Sequence, residues 1–123
     1  MKIILLSILA ISLFVTACAP SNTSPIDTTP AREIQVQAYQ YGFEPSIIDV
    51  KKGERIRLVF TSKDVPHGVF IMDGIDKATN TFGKGRTEII EFTADKAGTF
   101  TMQCSVYCGA GHTNMQGKIV VSE

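Results

Sequence analysis

The sequence predicts an all-β fold, a Greek-key β-sandwich built from about seven short strands. The first observation behind this is a period of two. Ile34, Val36 and Ala38 alternate with Glu33, Gln35, Gln37 and Tyr39, and Ile56, Leu58 and Phe60 alternate with Arg55, Arg57 and Val59; such alternation marks strands with one face buried. The second is punctuation: Glu44-Pro45, Lys51-Lys52-Gly53-Glu54, Asp73-Gly74, Gly83-Lys84-Gly85 and Lys96-Ala97-Gly98 break the chain at short intervals. The third is that no segment holds a 3.6-residue period between caps, which excludes long helices.

The strands follow in order. Glu33–Tyr39 and Arg55–Phe60 are the alternating runs, and Ile47–Val50, Gly68–Met72, Thr87–Thr93, Thr99–Gln103 and Gly117–Val121 are short apolar or β-branched runs between turns. The stretch Asp73–Arg86 is the least regular, and its spacing admits either a loop or an edge strand. Residues 32–123 form one domain, large enough for a modest core that a bound metal would further stabilise. Met72 and Met102 are expected in that core, Tyr107 in loop packing, and Lys51, Lys52, Lys84 and Arg86 as solvated turn charges.

Ahead of the domain, Met1-Lys2, the apolar stretch Ile3–Val15 and Thr16-Ala17-Cys18 describe an export signal over residues 1–17. The stretch is shorter than the roughly 20 residues that span a bilayer. Val15-Thr16-Ala17-Cys18 resembles the bacterial lipoprotein box, which implies lipidation of Cys18 and an address on the outer face of the cytoplasmic membrane or the cell surface. The alternative is an uncleaved anchor with an incidental Cys18. Residues 18–31, with Pro20, Pro25 and Pro30 among polar neighbours, read as a flexible tether. Two or more acyl chains on Cys18 would hold the domain stably, where one binds marginally. The whole sequence has 12 Lys and Arg against 12 Asp and Glu and no basic run, which excludes nucleic acid as a partner.

The chemistry-bearing residues crowd into Cys104-Ser-Val-Tyr-Cys108-Gly-Ala-Gly-His112-Thr-Asn-Met115. A mononuclear blue-copper site uses two His, one Cys and a weak axial Met; this run holds one thiolate more. With His67 upstream it supplies donors for two copper ions. Cys104 and Cys108 are spaced so that both sulfurs can face one small volume. Gly109 and Gly111 allow a sharp turn before His112, and Met115 is close enough to return. If both sulfurs bridge two ions, each ion receives two thiolates and one imidazole, with Met115 and a backbone carbonyl, that of Val106, as weak further ligands. Two thiolates offset most of the charge of a mixed-valence copper pair, so a one-electron change demands little rearrangement and suits electron transfer. A disulfide between Cys104 and Cys108, a Cys2His2 zinc site and Met115 as plain core filling are the competing readings. Asp64 either hydrogen-bonds a ligand histidine or simply ends a strand.

The pattern Cys-x3-Cys-Gly-x-Gly-His-x2-Met, with Asp64-Val-x-His67-Gly upstream, resembles the binuclear copper A domain of cytochrome oxidase subunit II in its short ba3-type form. The likeness covers most of residues 33–123, including Tyr41-Gly-Phe-Glu-Pro and Gly117-Lys-Ile-Val-Val. It implies a cupredoxin fold and a metal site formed by His67, Cys104, Cys108, His112 and Met115 through side chains and Val106 through its carbonyl. It also implies electrons arriving from a c-type cytochrome or small copper protein and leaving toward the catalytic subunit of a terminal oxidase or another redox protein. Val106 stands where many relatives carry Glu, so the further metal site that the carboxylate serves is not expected. The chain has no Trp; Tyr39, Tyr41 or Phe43 could stand in where electrons enter, although an aromatic near a strand end is more often core or rim packing. A copper-handling protein that delivers metal to an oxidase and the copper A part of a nitrous oxide reductase are the alternative functions. Only two His and four Met speak against delivery.

Overall fold

The computed structural model describes residues 28–123; the expected signal, Cys18 and most of the tether lie outside them. Nine strands form: β1 Arg32–Tyr39, β2 Gly42–Glu44, β3 Ile47–Lys51, β4 Arg55–Ser62, β5 Val69–Ile71, β6 Lys77–Ala78, β7 Thr87–Thr93, β8 Gly98–Cys104 and β9 Gln116–Ser122. The one helical element among the described residues is a 3-10 turn at His112–Asn114. One sheet runs β2-β1-β4-β7 and the other β3-β9-β8-β5-β6. β1 pairs in parallel with β4 and β3 in parallel with β9; the remaining pairs are antiparallel.

The period-two runs bury the face expected of them. Val36, Ala38, Ile56, Leu58 and Phe60 are fully buried and join one core with Ile71, Met102 and Ile119 of the opposite sheet. Each of the larger aliphatic or aromatic side chains contributes roughly 1.5–3 kcal/mol by leaving water. Val59, grouped by alternation with the outward residues, is also buried. It sits on an inner strand between Gln35 of β1 and Ile89 of β7 in register, so its neighbours cover it. Met72 departs from its expected place in the core and is half-buried, one residue past the end of β5. Lys51, Lys52, Lys84 and Arg86 lie exposed as expected.

Two strands exceed the seven expected, β2 and β6. At three and two residues they are too short to show a period. β6 settles the irregular stretch: it is an edge strand on β5, pairing Phe70 with Ala78 and Ile71 with Lys77. Farther along, Phe82 bridges back to His67. Among the described residues no helix is long and apolar enough to cross a membrane.

Candidate metal centre

The donors gather at one end of the sandwich, where β4 and β8 finish and β5 and β9 begin. His67 arrives from the connection between β4 and β5. Its backbone N–H donates to the Phe82 carbonyl at 2.9 Å and its carbonyl accepts from Phe82 N–H at 2.8 Å. The Phe82 ring, itself fully buried, lies 6.4 Å from the imidazole and 6.1 Å from Phe60, centroid to centroid. The stretch with no legible structure in the sequence is thus what seats His67, which is 0% exposed.

Asp64 sets the orientation of that ring. Its Oδ1 lies 2.8 Å from His67 Nε2. An ionised carboxylate only accepts, so Nε2 carries the proton and Nδ1 keeps its lone pair. Nδ1 is the atom that faces the sulfurs, 3.8 Å from Cys104 Sγ. Partial burial works to raise the Asp64 pKa, but hydrogen bonds from His67 and from the backbone N–H groups of Gln40 and Val65 together prevail and hold it below the usual 3.8.

The remaining donors come from the loop between β8 and β9. Cys104 ends β8; its N–H donates to the Met115 carbonyl at 3.1 Å, and Ser105 N–H donates to the Gly68 carbonyl at 3.0 Å. These bonds close the loop at its base. Cys104 Sγ lies 3.1 Å from the Val106 carbonyl oxygen and 3.7 Å from Cys108 Sγ. Cys108 Sγ in turn lies 3.6 Å from Met115 Sδ and 3.8 Å from His112 Nδ1. Both thiols are free and buried, and 3.7 Å is far beyond the roughly 2.05 Å of a disulfide bond. Burial, reinforced by the neighbouring Cys104 sulfur, pushes the Cys108 thiol up to about 11.

Each sulfur therefore has its own imidazole and its own weak donor. Cys104 is flanked by His67 and the Val106 carbonyl, Cys108 by His112 and Met115. One ring nitrogen of His67 and the two sulfurs lie within 4.8 Å of one another. A metal–thiolate bond is about 2.3 Å for zinc, so an ion could touch both sulfurs across their gap. Soft thiolate, thioether and imidazole donors together fit copper. All six predicted metal-site residues are brought together here.

Three features of the site depart from the sequence expectations or escaped them. Gly109 adopts φ 137°, as expected of a glycine turn, but Gly111 does not need the freedom: its φ is −92°. Gly111 is small because the Tyr41 ring lies on it, with a Cβ there falling 2.4 Å from Tyr41 Cδ2. Tyr107 is not packed into the loop; it is 78% exposed, with its ring 5.8 Å from that of His112. Gln40 also reaches the site, donating from Nε2 to the Cys108 carbonyl at 2.6 Å. No spacing rule singles out Gln40 or Phe82, although Phe82 stands out as an isolated aromatic in a polar stretch. Phe43 is buried, whereas Tyr39 and Tyr41 are exposed.

Comparison with known proteins agrees with this architecture. A family model for a cupredoxin-like domain matches residues 5–121. Cytochrome c oxidase subunit 2 of Thermus thermophilus is 36% identical over 90 residues, covering 73% of this chain and 65% of that protein. A second Thermus thermophilus subunit 2 matches at the same identity over 52% of its length, so the chain spans less than two thirds of these relatives. One chain from the structure of a heme-copper terminal oxidase dimer superimposes with a TM-score of 0.66 at 27% identity, covering 78% of this chain and 68% of that one. The periplasmic domain of cytochrome oxidase subunit II from Bradyrhizobium japonicum gives a TM-score of 0.64 at 23% identity over 74% of this chain and 83% of its own, a likeness of fold. The chain belongs to the family of cupredoxin-like domains, and it is homologous to subunit 2 of cytochrome c oxidase.

Proposed function

We propose that this protein is an exported, lipid-anchored one-electron carrier whose site holds a binuclear, mixed-valence copper A centre. The observation that carries the reading is the pairing of donors: two sulfurs 3.7 Å apart, each with a separate imidazole nitrogen at 3.8 Å. In this reading Cys104 and Cys108 would hold the copper through their sulfurs. His67 and the Val106 carbonyl complete one side, and His112 and Met115 the other. Copper bound there supplies reversible one-electron oxidation and reduction.

The chain's own residues supply the setting. Asp64 keeps the proton of His67 on Nε2, so Nδ1 stays free to bind metal. Cys104, Met115 and His67 lie at or below 2% exposure, which keeps water from these donors and packs them tightly. His112, only half-buried, is the histidine nearest solvent and the side on which a partner would approach. A c-type cytochrome or small copper protein is the proposed donor of electrons, and a terminal oxidase or another redox protein the acceptor. Buried donors of this kind are poorly suited to handing copper on, which disfavours delivery as the function.

Metal analysis and electron paramagnetic resonance on the copper-loaded full chain test the reading. Two copper ions per chain, with hyperfine structure shared equally by both nuclei, are expected. Cys104→Ser and Cys108→Ser abolish that spectrum, whereas Met115→Leu keeps the copper and changes its potential. One ion per chain, or an unchanged spectrum in either cysteine variant, refutes the binuclear centre. Palmitate labelling is expected in the wild type and lost in Cys18→Ser; equal labelling refutes the anchor.

A further inference from the structure

The turn between β1 and β2 holds the metal site on two sides at once. Gln40 contributes no proposed ligand, yet its backbone N–H donates to Asp64 Oδ2 at 2.8 Å. The other oxygen of that carboxylate holds His67 Nε2 at 2.8 Å. Gln40 Nε2 meanwhile donates to the carbonyl of Cys108 at 2.6 Å. One residue thus touches both separately anchored parts of the site: the histidine delivered between β4 and β5, and the loop delivered between β8 and β9.

The loop needs such an external tie. From Cys108 to His112 it runs through Gly109, Ala110 and Gly111, three positions with almost no side chain of their own to fix them. Gly109 sits at φ 137°, and a Cβ on it would fall 2.9 Å from Gln40 Nε2 and 2.4 Å from Tyr41 Oη. The Gln40-Tyr41 turn therefore fills the space that a larger loop residue would occupy.

We propose that Gln40 is a positioning residue that ties the Cys108–His112 loop to the Asp64–His67 pair and so fixes the two histidine sides of the centre relative to each other. The proposal rests on the ligand reading above, but part of it is measurable without metal. Gln40→Met keeps the length and removes the donor. Gln40→Glu keeps the length and, ionised, sets an acceptor against the Cys108 carbonyl. Gln35→Met is the control, since Gln35 lies on the strand that leads into this turn and donates to Glu33 on the exposed face.

In the reduced, metal-free full chain, amide hydrogen exchange at His112 and Met115, whose N–H groups donate to the Gly109 and His112 carbonyls, is expected about 10-fold faster in both Gln40 variants, as local opening becomes easier. In the copper-loaded chain, loss of copper to a chelator should be about 10-fold faster, as is typical when a residue supporting a metal ligand is removed. The hyperfine pattern should change while far-ultraviolet dichroism stays that of the wild type. Gln35→Met should match the wild type throughout. Wild-type exchange, copper loss and hyperfine structure in both Gln40 variants would overturn the proposal, as would a lowered melting temperature with the other three unchanged. A single copper in the wild type would refute the binuclear reading instead, and the metal-free exchange rates would still decide whether Gln40 ties the loop.

Discussion

Replacing Gly111 with alanine isolates one steric contact of the site. The backbone of Gly111, at φ −92° and ψ 9°, lies in the bridge region that residues with a Cβ adopt in type I turns, so no left-handed φ stands against alanine. The new methyl group would lie 2.4, 2.6 and 2.9 Å from Cδ2, Cγ and Cε2 of Tyr41. Carbon atoms settle at roughly 3.5–4.0 Å, so the ring must retreat by about 1 Å. Because Cγ is among the clashing atoms, spinning the ring does not relieve the overlap; the side chain must leave its position on the loop. Overpacking of this kind costs roughly 1–3 kcal/mol, and at about 2 kcal/mol a domain of this size loses on the order of 10 °C in melting temperature. The assay is thermal unfolding of the reduced, metal-free protein, followed by circular dichroism, in wild-type and Tyr41→Ala backgrounds. Without the ring, Gly111→Ala should cost no more than about 0.5 kcal/mol, the usual limit for substitutions that meet no special feature. An equal drop in both backgrounds, or none in either, refutes the argument. Gly109→Ala should stay destabilising in both, because φ 137° is strained for alanine whatever lies nearby.

Phe82→Ala should lower stability by roughly 3–5 kcal/mol and weaken copper retention by releasing His67, whereas Phe82→Leu stays within about 1.5 kcal/mol; urea unfolding and chelator competition measure the two effects. The raised Cys108 pKa makes the metal-free protein less stable in alkali. The unfolded thiol ionises near 9.0 and the folded one near 11, so the contribution is complete below the first value and is lost as pH rises to the second; Cys108→Ser should flatten that slope in denaturation followed against pH. Asp64 has the opposite sign: its folded pKa lies below 3.8, so its contribution is present above that value and is lost as pH falls through the folded pKa. Asp64→Asn should remove this acid-side slope and weaken copper binding by about 10-fold or more, as read by acid titration and chelator competition.

The parts of this protein that were legible in the sequence are those governed by local rules. Strand alternation around Val36 and Leu58 announced two buried faces, and the spacing of Cys104, Cys108, His112 and Met115 announced a shared volume, because all four donors belong to one loop. What stayed hidden depends on contacts between distant segments. Val59 is buried because β4 became an inner strand, which its own residues do not reveal. Phe82 holds His67 through a single bridge, and one bridge leaves no period. Gln40 carries no signal of its own in the sequence, and only the pairing of β1 with β4 brings it beside Asp64. Gly111 was read as freedom for a sharp turn, yet it is small for the sake of its neighbour.

The margins of the two sheets carry a further consequence. β2 and β6, one margin of each sheet, offer three and two residues. The other margins, β3 and β7, carry Asp49 and Lys51, and Glu88 and Glu91. A second molecule adding a strand at β2, β6, β3 or β7 would find a stub too brief to zip onto or a border of ionised groups that resist losing their water. Short stubs and charged borders therefore both work against a second copy of this domain adding a strand at these margins.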